Sequence, residues 1–139
     1  MPPTWRSVLL IAGLGVGSFV PVCMAAEGRI AADPNPCVVA VNTYTCTTHL
    51  TWTVSGATQA RVYVVEHSDQ GNPERQFKNG LTCVATSDKC RAPWIRKGKT
   101  YTFTLYDYSS RRRGAALSSV TVTATGWSRD QAPPRRTRR

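Results

Sequence analysis

Few side chains in this sequence are placed for covalent chemistry. The chain has two histidines and eight acidic residues. His49 lies within Thr47-Thr48-His49-Leu50-Thr51, and His67 opens a polar loop beside Glu66 and Asp69. Nucleophilic catalysis needs a nucleophile, a base and an orienting carboxylate that converge. Here the free serines fall in turn segments, and Asp33, Glu66, Asp69, Glu74, Asp88 and Asp107 are scattered without a paired motif. No catalytic residues are assigned, and a non-enzyme is expected. The cysteines show no CxxC spacing and no histidine partners at zinc-finger intervals. Asp69-Gln70-Gly71-Asn72 lacks the alternating acids and terminal glutamate of a calcium loop. Neither a metal nor another cofactor is expected.

What remains is the chemistry of binding. Tyr63, Tyr106 and Tyr108 fall at outward positions of extended segments. A row of exposed tyrosines can stack on sugar rings or anchor a protein partner. Beside them Arg111-Arg112-Arg113 form a basic triplet, suited to phosphate, sulfate or carboxylate groups. The formal charge is +10. Most of it sits in that triplet and in residues 127–139, which hold five arginines and one aspartate. The basicity therefore belongs to two patches and not to the whole domain. The partners this suggests are a glycan or envelope polymer, a protein, or a polyanion held by the arginine loop and tail. The bland alternative for the tail is solubilisation.

The elements that must position these residues lie behind an apolar leader. Arg6 precedes Val8–Val20, a run of 13 apolar and small residues, and Ala25-Ala26 follow. A membrane span needs about 20 residues, so the run fits a signal peptide over residues 1–26 better than a retained anchor. Cys23 follows Pro21-Val22, a poor lipoprotein acylation site. With Cys23 removed, Cys37, Cys46, Cys83 and Cys90 remain, an even set that implies two disulfides in an oxidising compartment. Three pairings are open; Cys37–Cys46 with Cys83–Cys90 is favoured because each pair brackets a turn. The expected location is secreted or periplasmic, with no membrane span after cleavage.

Residues 27–126 leave room for one domain. Alternation marks its strands. Leu50, Trp52 and Val54 share one face of a threonine-rich strand; Val62 and Val64 oppose Arg61 and Tyr63; Tyr101, Phe103 and Leu105 oppose Thr100, Thr102, Thr104 and Tyr106. Ser55-Gly56 and Asn79-Gly80 are turn signals. About seven such strands and no helical period after the leader predict an all-β sandwich. Residues 127–139 carry too little apolar surface to order themselves.

Four segments carry a resemblance: Asp33-Pro34-Asn35-Pro36-Cys37 ahead of Cys46, Leu50-Thr51-Trp52-Thr53-Val54-Ser55-Gly56, Trp94-Ile95 with Gly98-Lys99-Thr100-Tyr101-Thr102-Phe103, and Val120-Thr121-Val122-Thr123-Ala124. Together they resemble the immunoglobulin-like or fibronectin-III-like modules of bacterial exported proteins, over roughly residues 29–125. The resemblance implies a seven-stranded β-sandwich with Trp52 and Trp94 in the core. It also implies a tyrosine corner, in which the Tyr101 hydroxyl bonds back to the preceding turn. The strand from Thr100 has no cysteine, so the core disulfide of antibody-type domains cannot form. The expected function is a small exported binding or adhesion module. The alternatives are a structural accessory subunit docked through a strand edge or the tyrosine face, and polyanion binding by the arginines alone.

Overall fold

The computed structural model describes residues 24–126 together with Gly17, Ser18 and Val20. The rest of the expected signal peptide, Cys23 and the whole of the 127–139 tail lie outside the described residues. The fold is all-β. Its strands are β1 (Glu27–Asp33), β2 (Cys37–Val39), β3 (Thr45–Ser55), β4 (Ala60–His67), β5 (Arg75–Asn79), β6 (Thr82–Cys83), β7 (Arg91–Arg96), β8 (Thr100–Asp107) and β9 (Ala116–Gly126). That makes nine strands among the described residues, against the seven expected. Two of them are very short: β2 has three residues and β6 two, within the segments 37–41 and 81–86 that read as extended in the sequence.

Two sheets enclose one core. In the first, β3 pairs with β1 along one edge and with β6 and β7 along the other. The second has the order β2-β9-β8-β4-β5. Every pair in it is antiparallel except β2 with β9, which is parallel. The alternation seen in sequence becomes the inner faces: Leu50 and Trp52 from β3 meet Val62 and Val64 from β4, Tyr101, Phe103 and Leu105 from β8, and Val122 from β9. Each such side chain contributes about 1.5–3 kcal/mol by leaving water. Trp52 also donates its indole N–H to the Gly80 carbonyl at 3.0 Å, so its one polar atom is satisfied. Trp94 differs from expectation. It is half-buried and packs against the core from outside it, because β7 lies at the edge of its sheet.

The chain changes sheets between β1 and β2. Pro34 and Pro36, both preceded by cis peptide bonds, break the ladder there. Asn35 bridges the gap to β9: its amide donates to the Thr121 carbonyl at 2.8 Å and its oxygen accepts from Thr123 N–H at 3.4 Å. The Thr48 hydroxyl, fully buried, donates to the Pro34 carbonyl at 2.9 Å. The cysteines come together in two pairs at disulfide distance. Cys37 meets Cys46 with Cα atoms 6.0 Å apart, and Cys83 meets Cys90 at 6.5 Å. The first pair joins β2 of one sheet to β3 of the other. The second closes the segment between β6 and β7.

Candidate functional site

The outer face of the five-stranded sheet gathers an aromatic and cationic cluster. Neighbouring strands β4 and β8 put Arg61 opposite Tyr106 and Tyr63 opposite Thr104. Their inward neighbours Val62, Val64 and Leu105 are buried, so these side chains project outward. The tyrosines are nevertheless not the exposed row expected: Tyr63 and Tyr106 are half-buried and Tyr108 is buried, because they pack on one another and under arginines. Tyr108 follows just beyond β8, where its N–H donates to the Gln59 carbonyl at 2.9 Å. That places its ring stacked on Tyr63, centroids 6.1 Å apart and planes at 17°. Tyr106 meets Tyr63 edge-on at 5.8 Å. The hydroxyls of Tyr63 and Tyr108 are 2.7 Å apart.

Arginines cover the rings. The Arg113 guanidinium lies 4.2 Å over Tyr63 and 4.5 Å from the centre of Tyr106, and Arg61 lies 4.2 Å over Tyr108. Attraction between a cation and a ring face is worth about 0.5–1 kcal/mol at an exposed site. Arg113 is fixed further by Glu74, which accepts a hydrogen bond from it at 2.6 Å. This partner raises the arginine's pKa above its ordinary value. Arg61 donates to Gln76 at 3.3 Å. The hydrogen bond between the two tyrosines splits their acidities. Tyr63 is lowered, chiefly by its bond to Tyr108 and further by the two guanidinium groups; Tyr108 is raised, chiefly by the same bond. Either hydroxyl can be the donor in that bond. The result is a pair of guanidinium groups held in place on a tyrosine bed.

Among the residues singled out in sequence, the structure brings Tyr63, Tyr106, Tyr108 and Arg113 together. Arg111 and Arg112 are exposed in the β8–β9 loop. Among the described residues they make no side-chain hydrogen bond and no ring contact, unlike Arg113. Arg61, Gln76 and Glu74 complete the cluster. Of these, Arg61 was legible as an outward position, while Glu74 and Gln76 carried no signal. The two histidines are apart. His49 lies on β3, and His67 hydrogen-bonds Thr102 at 2.7 Å. No group of three His, Cys, Asp or Glu side chains among the described residues is placed to hold a metal. Tyr101 is buried, and its hydroxyl accepts the Arg96 N–H at 3.2 Å. Burial is the main reason its pKa is raised.

A second concavity, unforeseen in the sequence, opens between β5 and β7. It measures about 640 Å3, and Phe77, Trp94 and Tyr101 lie beneath it. Among the described residues no helix is long and apolar enough to cross a membrane. No family model, curated protein or solved structure matches the chain.

Proposed function

We propose that the chain is a small exported binding module of immunoglobulin-like architecture that holds an acidic envelope polymer on its β4–β8 face. The observation that carries this reading is the covering of three tyrosine rings by Arg61 and Arg113. A neutral sugar would need a bare ring face to stack on, and the guanidinium groups occupy those faces. Fixed guanidinium groups suit carboxylate or phosphate, which they can meet through paired N–H donors. Because the rings and Glu74 already hold the arginines, little side-chain entropy is lost on binding. No cofactor enters this reading.

Three features support the immunoglobulin-like assignment. The β4, β8 and β9 strands lie together in one sheet opposite β1 and β3. The first edge of the chain switches sheets between β1 and β2. The Tyr101 hydroxyl bonds back to Arg96 at the turn before its own strand, as in a tyrosine corner. Export is supported by the two cysteine pairs at disulfide distance and by the leader-like run over residues 8–20.

The test is retention on immobilised polymers: polyuronate, teichoic acid and a neutral glucan, each at low and high salt. Arg61→Ala and Arg113→Ala should each weaken polyuronate or teichoic acid binding by about tenfold, the worth of one charge-assisted hydrogen bond. Binding that depends only on residues 135–139 would instead assign the function to the basic tail. Retention on glucan at high salt would return the face to neutral sugars.

A further inference from the structure

The cleft between β5 and β7 combines features that the tyrosine face lacks. It lies where the two sheets part: β5 ends the five-stranded sheet, and among the described residues β7 pairs only with β3. A bulge builds its floor. Val62 pairs with Lys78 and Tyr63 with Gln76, leaving Phe77 as the extra residue of β5. The Phe77 ring packs edge-on against Phe103 at 5.3 Å and Trp94 at 6.3 Å. Trp94 packs in turn against Tyr101 at 5.4 Å, and the Arg75 guanidinium lies 4.7 Å over its ring.

Four exposed cations line this cleft: Arg75 and Lys78 from β5, Arg91 and Arg96 from β7. Among the described residues Glu66 is the one carboxylate lining it, and it already accepts from the Asn72 amide at 3.3 Å. Charge on an edge strand is a common guard against unwanted pairing. That accounts for Arg75 and Lys78 on β5. It does not account for Arg91 and Arg96 lining the same space from the other sheet.

The backbone narrows the occupant. Among the described residues no strand pairs with the outer edge of β5, and none of its five residues is a proline, so the N–H groups that face away from β4 are intact. β7 has Pro93 in its middle, which removes a donor and makes it the poorer template. Trp94 spends its ring on Arg75, Phe77, Phe103 and Tyr101, which disfavours a stacked sugar. We propose that this cleft binds an extended acidic polypeptide segment, added to β5 as a sixth strand. Alternate side chains of such a strand face the same way, about 7 Å apart. Carboxylates at every second position would therefore point into the cleft toward Arg75, Arg91 and Arg96, and main-chain hydrogen bonds would set the register. This site goes beyond the polymer-binding face and does not depend on it.

The probe is a peptide of alternating Asp and Thr, about nine residues long so that it overhangs β5. It is titrated into the nitrogen-15-labelled protein at moderate salt, beside the same peptide N-methylated at alternate residues. The expected result is saturable binding with amide shifts concentrated at Arg75–Asn79. N-methylation should abolish it. Combining Arg75→Ser with Arg91→Ser should weaken it by at least about tenfold. Tyr106→Ala, on the tyrosine face and without a contact to β5, should leave it unchanged, which separates this site from that face. Should the cleft variant fold poorly, the wild-type shift map and the N-methyl comparison decide alone. Equal binding of the N-methylated peptide, full competition by an oligouronate, or shifts that bypass β5 would each overturn the proposal.

Discussion

Replacing Tyr101 by Phe removes one oxygen and leaves the ring. That ring is almost wholly buried, 1 % exposed, and packs edge-on against Trp94 at 5.4 Å. These apolar contacts survive the change. What is lost is the acceptor for the Arg96 N–H, now 3.2 Å from the hydroxyl. A typical net hydrogen bond is worth about 0.5–1.5 kcal/mol, and an orphaned buried donor costs more, about 1–3 kcal/mol. Arg96 borders the open cleft, so water can reach part of the way to that donor. The expected loss is therefore about 1–1.5 kcal/mol. In a domain of roughly 100 residues, 1 kcal/mol lowers Tm by about 4–8 °C. The same variant has a signature in alkali. Burial raises the Tyr101 pKa, outweighing the Arg96 hydrogen bond, which acts the other way. A group that holds its proton longer when folded stabilises fully below the unfolded pKa, near 10, and that stability is lost as pH rises through the folded pKa. Tyr101→Phe should thus be destabilised at neutral pH yet show a shallower decline above about pH 10. Urea denaturation at pH 7 and across the alkaline limb measures both. An unchanged midpoint at pH 7, or an unchanged alkaline limb, would refute the reasoning about this hydroxyl.

Further expectations concern the frame around the site. Replacing either cysteine pair by serines should cost about 2.5 kcal/mol on the chain-entropy model for loops of this length, read from urea midpoints with and without reductant. A Cβ at Gly28 would stand 2.8 Å from Leu105 Cδ2 and 3.1 Å from Leu117 Cβ. Gly28→Ala should accordingly lose about 1–3 kcal/mol through overpacking, whereas a wild-type Tm would show that β1 gives way. Two hydrogen bonds from Ser109, hydroxyl at 2.7 Å and N–H at 2.8 Å, hold the Asp107 carboxyl below its ordinary pKa. Its stabilising contribution is present above the unfolded pKa and is lost as pH falls through the folded value. Ser109→Ala should shrink that acid-side loss, visible in Tm between about pH 5 and 2.

The strands were legible because one face of each is buried. Tyr101, Phe103 and Leu105 alternate with threonines, and Leu50 and Trp52 do the same, so period-2 patterning finds them directly. The segments of β2 and β6 read as extended too, but two or three residues cannot display a period, so their bounds did not show. The cysteine pairing followed from closeness in sequence. Its consequence did not, since nothing local reveals that β2 and β3 belong to different sheets. The tyrosine face was half legible. Alternation sends Tyr63 and Tyr106 outward, but their contact depends on β4 pairing with β8 across some forty residues of chain. Arg113 parted from Arg111 and Arg112 because Glu74, distant in sequence, draws it across the rings. The cleft was hidden for two reasons. Its walls come from the edges of separate sheets, and its floor depends on a bulge at Phe77 that turns an ordinary-looking position inward.

The most direct measurement of the central claim is calorimetric titration of a polyuronate oligomer into wild type, the Arg61→Ala/Arg113→Ala variant and a variant lacking residues 135–139. The account predicts saturable binding by wild type, loss of most affinity in the double arginine variant, and a modest, salt-sensitive loss on removing the tail. Equal affinity in wild type and the double arginine variant would contradict it.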